Sequence, residues 1–365
     1  MNFDVETHSS ESKRTQKKKQ KFLIMLVIFF LLLSITLIIV YLIMIDKEEI
    51  STKKPPKVVE EVKEKLKIVD ENSNERPIAI MIDNNIGGAK HAGLQESYLN
   101  YEIIVEGGLT RIMALYKDKT VSLIGPVRSS RHYFLDYALE SDAIYAHFGW
   151  SIYAERDIKV LGINNINGLT DEAPYWRESS ALAPHNVFTT TDKIRNYAKL
   201  KNYSTETNNW KLLNYTTDKV ALNSITNTQE HPNPELLTAN KISIDYSNYQ
   251  NRSYSYDSQN EYYLREMNGD AHLDKVTNNQ LNYKNIIIEK VNNYNLDSEG
   301  RQDLTTTGSG TGYYITNGYA LPINWTKSSR SAKTKYTYTN GTEIKVNDGN
   351  TFIQIVPMQS KITIE

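Results

Sequence analysis

The apolar positions along this chain fall into three textures. Residues Phe22 to Ile45 form a charge-free run, almost entirely Leu, Ile, Val, Phe and Met. Coiled as a helix, 24 residues extend roughly 36 Å at about 1.5 Å each, enough to cross a hydrocarbon core of about 30 Å. From Arg76 to about residue 195 the pattern mixes two periods. IAIMI at 78–82 is a continuous apolar run of the kind a strand buried on both faces shows, and YEIIV, RIMALY, VSLIG and AIYAHFG read as further strands. A short helix near Gln95–Asn100, SSRHYFLDYALESD and SIYAERDIKV have helical spacing, with Ser129 or Ser130 as N-cap of the second and Ser151 of the third. From Lys241 onward short alternating runs take over: KISIDYS, RSYSYD, NIIIEKV, GYYITNG, KYTYTNGTEIKV and TFIQIVP. Asn317-Gly318, Asn340-Gly341 and Asp348-Gly349 mark turns between such runs.

These textures predict an α+β protein. A mixed α/β domain spans 76–235, and a smaller, mainly β domain spans 236–365, with HPNPE at 231–235 as the boundary. A basic tail (1–21), a transmembrane helix (22–45) and a linker or stalk (46–75) precede them. In the stalk, VVEEVKEKLKIV has the spacing of one amphipathic helix through Val58, Val62, Leu66 and Val69.

Charge sets the expected orientation. Lys13, Arg14, Lys17, Lys18, Lys19 and Lys21 precede the apolar run and DKEE follows it. The positive-inside rule therefore places the N-terminus in the cytoplasm and the remainder outside a cell membrane, single-pass. A cleaved signal peptide is the rival reading. The run exceeds the usual h-region of roughly 7–15 residues, and no small-x-small site follows it. Formal net charge is −1 and there is no cysteine. The first argues against nucleic acid as partner. The second excludes disulfides, cysteine nucleophiles and cysteine-borne lipid.

Ordered blocks along the chain carry a resemblance: EGGLTR at 106–111, IGPVRSSRHYF at 124–134, HFGWS at 147–151, WR at 176–177 and PHN at 184–186, then KN at 284–285, DSEGR at 297–301, GSGTGYYITNG at 308–318 and Trp325. The chain from about Arg76 to the end resembles the YerB-like family of bacterial lipoproteins. That resemblance implies two domains of unknown function, one N-terminal and mixed, one C-terminal and smaller. It departs from the family in having a membrane helix where the lipid-bearing cysteine is expected. It supplies no mechanism, so candidate residues are weighed by their chemistry.

Arg128 and Arg131 are expected just before and inside a helix's first turn, a poor place for cations and a good one for anions. Two arrangements fit: an external anion, held by Arg111, Arg128, Ser129, Arg131, His147, Arg177, His185 and Asn186, or internal ion pairs such as Arg131 with Glu106 or Asp136. Glu106 stands before a double glycine. If buried, its raised pKa would suit a general acid, for example in lytic cleavage of a wall glycan. Glu102 cannot be its glycosidase partner, because four strand residues span roughly 13 Å. A metal site from His147, His185 and Asp83 has no supporting spacing, so no metal and no cofactor are expected. GSGTG at 308–312 lacks the lysine of a phosphate loop and reads as a turn.

The functional expectation is a membrane-anchored cell-envelope protein that binds peptidoglycan or another anionic wall polymer through an Arg/His-lined cleft. The alternatives are a wall-glycan-cleaving enzyme using Glu106, and a scaffold for a membrane-bound wall-synthesis protein.

Overall fold

A computed structural model describes residues 6–52, 64–85, 87–179, 181–225 and 236–365. They fall into two units, 1–63 and 64–365. The first is a single helix, α1 (Glu6–Thr52), containing a stretch long and apolar enough to cross a membrane.

The second unit is built on one long sheet. In chain order its strands are β1 (Ile78–Asp83), β2 (Leu99–Ile104), β3 (Thr110–Tyr116), β4 (Ile144–His147) and β5 (Asn165–Asn167). Past four strands of only two residues, a second sheet takes β6 (Lys241–Ser247), β7 (Gln250–Asp257) and β8 (Tyr262–Met267). The long sheet then resumes with β9 (Asn285–Val291), β10 (Gly308–Thr316), β11 (Tyr319–Lys327), β12 (Lys335–Tyr338) and β13 (Thr351–Pro357), while β14 (Ile362–Ile364) pairs with β6. The spatial order of the long sheet is β12-β11-β10-β9-β13-β2-β3-β1-β4-β5. Strand β13 runs parallel to β2, from Leu99 opposite Thr351 to Ile103 opposite Ile355. The two halves of the sequence are therefore joined edge to edge in one sheet.

Side-chain alternation explains the layers. Along β2 and β13 the residues Asn100, Glu102, Phe352 and Gln354 share one face. The second sheet covers it, with Tyr254 and Tyr283 edge-on to Phe352. Tyr101 points the other way and meets Tyr137 of helix α2 (Phe134–Glu140) at 4.8 Å between ring centres. Helices α3 (Ile152–Val160) and α4 (Thr191–Leu200) follow, capped by Ser151 and Thr190. With both faces covered, β1, β2, β3 and β13 are buried throughout, as the unbroken apolar run at 78–82 predicts.

The mixed α/β character and the β-rich C-terminal half are as expected, and Asn317-Gly318 turns β10 into β11 with both residues at positive φ. Several local expectations are corrected. Residues 95–100 form no helix; a turn leads straight into β2. VSLIG makes isolated bridges, through Ile124 to Thr189 and Gly125 to Ala92, but no strand. GSGTG is strand rather than turn: a Cβ on Gly312 would lie 1.8 Å from the Ile288 carbonyl, so glycine is needed for β9 to approach. The stalk also ends earlier than expected. Ile68 and Val69 are buried, and the Lys67 and Ile68 amides donate to the Asp348 carboxylate, so residues 64–75 belong to the body and 64–69 are not helical. The rest of that expected helix, and the boundary at 231–235, lie outside the described residues.

Candidate functional site

The segment Arg128–Tyr133 does not start the helix. N-cap geometry falls at Tyr133, without a side-chain cap, and α2 begins at Phe134. Neither Ser129 nor Ser130 caps it, and Arg131 lies outside its first turn, so the helix-terminus argument for an anion falls away. Ser130 instead accepts from Tyr145, and the Arg128 amide donates to the Met81 carbonyl, laying the segment beside the end of β1.

Five charged side chains and a histidine gather there. Arg131 grips Glu106 in two parallel bonds, Nε to Oε1 at 2.6 Å and Nη2 to Oε2 at 2.7 Å. Burial would raise the Glu106 pKa; the hydrogen bonds and charge of Arg131 outweigh it, and the carboxyl is held below its ordinary value. That is the opposite of what a general acid needs. The second of the two glycines after it serves packing: a Cβ on Gly108 would stand 3.0 Å from Ser247 Cβ and from Tyr249 Oη beside the second sheet.

Asp83 ends β1 opposite Arg111 on β3. Its carboxylate accepts from His185 Nδ1 and lies 3.6 Å from Arg128 Nε. Arg111 is buried, donates from Nη1 to the Ser129 carbonyl, and forms no ion pair among the described residues. Burial and the neighbouring charges of Arg131 and Arg128 pull its pKa down to about 9. The Arg128 guanidinium makes no hydrogen bond among the described residues, and its Nε is shielded from solvent as well. The side chains of Arg128 and His185 are 20% and 23% exposed, so this corner reaches the surface.

The other expected site residues lie elsewhere. His147 is fully buried; it donates from Nδ1 to the Gly149 carbonyl, pairs through Nε2 with Asn165, and is pushed down to about 4 by burial. It is not brought to Asp83 and His185, so those three form no metal trio. Asn186 holds its own loop, donating to the Glu178 and Ala181 carbonyls and accepting from exposed Arg177, whose guanidinium stacks 4.9 Å over Phe148.

Beneath the corner lies a network that residue patterns did not reveal. Glu102, Arg252 and Arg265 are fully buried between the sheets. Glu102 accepts from Arg252 Nε at 2.7 Å, Arg265 Nη2 at 2.7 Å, Thr110 at 2.7 Å and Asn84 at 2.7 Å. Burial would raise its pKa; the charges of Arg252 and Arg265 pull it down to about 2. Hydrogen bonds then run outward in one direction. The Asp83 carbonyl only accepts, so His91 Nε2 donates to it at 2.5 Å. His91 Nδ1 accepts from His272 Nε2 at 2.6 Å, and His272 Nδ1 accepts from Arg265 Nη1. Burial, with Arg265 alongside, lowers both histidine pKa values and keeps the rings neutral. The network thus pins the backbone of Asp83, the residue that orients His185.

Two family models cover most of this unit. One, "Protein of unknown function (DUF3048) N-terminal domain", matches residues 65–204; its C-terminal counterpart matches residues 242–353. The chain belongs to the YerB-like, DUF3048 family. Among its relatives is the "Putative lipoprotein YerB" of Bacillus subtilis (strain 168), 28% identical over 297 residues, covering 80% of this chain and 84% of the relative. The crystal structure of YerB protein from Bacillus subtilis superposes with a TM-score of 0.70 at 25% identity, over 82% of this chain and 100% of that one. In this YerB-like chain, which has no cysteine, the apolar helix α1 is the feature suited to membrane attachment.

Proposed function

We propose that this YerB-like chain is held in the cell membrane by α1 with residues 64–365 outside the cytoplasm, and that the Arg111–Arg128–His185 corner binds an anionic group of a cell-wall polymer. Six basic residues before the span support the orientation. One observation carries the binding reading: the Arg128 guanidinium stands next to Arg111 with no hydrogen bond among the described residues and only a 3.6 Å contact to a carboxylate already engaged by His185. Guanidinium groups ordinarily find acceptors, so a phosphate or carboxylate oxygen reaching the 20% exposed side chain would complete this one. Arg131 is not part of that surplus, because Glu106 neutralises it. The Glu106 ion pair also favours binding over acid catalysis.

The test is titration of a glycerol-phosphate polymer onto the full chain in nanodiscs. Arg128→Gln is expected to weaken binding at least tenfold, and unchanged affinity overturns the reading. Orientation is read separately. Val160 is 77% exposed and the chain has no native cysteine. A Val160→Cys chain is expected to react with an impermeant maleimide added to intact cells; reaction only after lysis reverses the topology.

A further inference from the structure

His132 and Tyr133, at the end of the Arg128–Tyr133 segment, line a cleft of about 430 Å³. One wall comes from α2, α3 and His132, the other from residues 294–307 and Arg330. Its ionic groups are mostly spent on each other. Arg330 donates from Nε to Asp136 at 2.6 Å and from Nη1 to Asp157 at 2.7 Å, and Thr306 donates to Asp136 at 2.6 Å. Arg156 also lies on Asp157 at 2.7 Å. Counting Asp303, three carboxylates face two guanidiniums in the lining. The cleft therefore has no cationic surplus of the kind seen beside Arg128.

Two tyrosines flank it. Tyr294 is 54% exposed, and its hydroxyl donates to Asp303 at 2.8 Å, which fixes the ring while leaving its face open. Tyr153 packs against His132 at 5.6 Å between ring centres and carries the Arg156 guanidinium 5.8 Å over its ring, so it serves as wall rather than open face. His132 is 8% exposed and its Nε2 donates to Asp303 at 2.9 Å. Its other ring nitrogen, Nδ1, is buried without a hydrogen-bond partner among the described residues. A neutral ring makes that atom an acceptor and a charged ring makes it a donor. A hydroxyl satisfies either state, being donor and acceptor at once; a carboxylate or an ammonium satisfies only one.

We infer that this cleft is a second binding site, for the hydroxyl-rich face of an uncharged saccharide, with Tyr294 as the stacking surface and His132 Nδ1 with the Asp136–Arg330–Asp157 array meeting hydroxyl groups. Pyranose rings offer apolar C–H faces to aromatic rings and hydroxyls at their rims, which matches a flat tyrosine beside planar carboxylate and guanidinium groups. The inference does not rest on the anion site.

It is tested by calorimetric titration of the full chain in nanodiscs with tetrameric N-acetylglucosamine and with maltotetraose. At least one is expected to bind with submillimolar Kd. Tyr294→Ala is expected to weaken binding tenfold or more, and Tyr294→Phe, which keeps the ring and loses the hydroxyl, by less than threefold. Tyr249→Ala, which removes an equally exposed tyrosine beyond the cleft (55%), is expected to leave affinity unchanged. Absence of heat with both sugars at millimolar concentration overturns the inference, as does equal affinity of Tyr294→Ala and the parent chain.

Discussion

Two arginine–carboxylate groups lie within one chain's reach of each other, and they are finished to different degrees. In the inner group Arg252 donates from all three guanidinium nitrogens, to Glu102, Asn251, Thr110 and Gln250. Arg265 adds Glu102 and His272, and among the described residues only its Nε has no partner. Arginines outnumber carboxylates there too, but neutral acceptors absorb the surplus. In the outer group Arg131 is satisfied by Glu106, while Arg128 has no hydrogen bond among the described residues. A charge sealed between two sheets has to find partners within the chain, because leaving it bare is costly. A charge that reaches solvent can wait for a ligand. On this view the inner group serves architecture and the outer one recognition, and each can be tested by removing one member.

The largest effect is expected from Glu102→Gln. It leaves the Arg252 and Arg265 guanidiniums without an anion in a layer where both are fully buried. Loss of one member of a buried ionic group costs about 3–5 kcal/mol, read as a lowered urea midpoint for the unfolding of residues 64–365. A loss below about 1 kcal/mol, the range of exposed pairs, would put the inner group on the same footing as a surface bridge.

Acid comes next. His91 and His272 are held neutral in the fold, and His147 is pushed down to about 4. Once unfolded, each protonates near pH 6.5, so the unfolded chain binds more protons below that value. Stability is then fully present above about pH 6.5 and falls as pH drops through it, by about 1.4 kcal/mol per unit for each histidine. Glu289 opposes this. Burial pushes it up to about 7 although Tyr137 and Tyr336 donate to it, so its contribution is present in acid and lost as pH rises towards 7. Glu96 and Asp136, also raised by burial, oppose the histidines in the same sense but without a shift as large as that of Glu289. The three histidines predict a urea midpoint lower at pH 5 than at pH 6.5, with Glu289→Gln steepening the drop. A flat profile would mean the histidine chain admits protons in the folded state.

These expectations show what was legible in the residue pattern and what was not. Arg131 and Glu106 stood out because each sits in a short charged block between apolar runs, and their internal pairing was one of two arrangements that fitted. Asp83 and His185 were visible as residues, but their contact spans 102 positions and no local rule pairs them. The inner group was not legible at all: Arg252 and Arg265 sit in alternating strands where a polar residue normally faces water. They face inward here because β7 and β8 lie across β2, a placement that depends on β13 pairing beside β2 some 252 residues away. Strand identity was local and largely readable, whereas sheet order was not, and the site depends on sheet order. The helix start failed for a similar reason. Serines that look like caps were used by Tyr145 and by the backbone near β4, contacts that long-range packing supplies.

Glu106→Gln probes the outer group from its satisfied side. Its pair with Arg131 is bidentate but partly open, with side chains 23% and 13% exposed. Solvent screens it, and a loss of about 1 kcal/mol is expected, shrinking in high salt. The substitution also frees Arg131 to act as a second unpaired cation, so affinity for the glycerol-phosphate polymer should rise, or at least hold. A binding loss larger than that of Arg128→Gln would instead make the Glu106–Arg131 pair part of the recognition surface.

Arg128→Gln is expected to be the least damaging to the fold and the most damaging to binding. The side chain gives up no hydrogen bond among the described residues, and its contact with Asp83 at 3.6 Å is loose. Removing it also relieves Arg111 of one repelling neighbour. The urea midpoint should therefore shift by no more than about 0.5 kcal/mol in either direction, the range of surface substitutions, while polymer affinity falls at least tenfold. The two readouts separate the two kinds of arginine. A destabilisation of the size expected for Glu102→Gln would show that Arg128 is an internal partner of Asp83, leaving the corner without a free cation. Near-neutral stability with lost binding is the behaviour of a residue kept for a partner outside the chain.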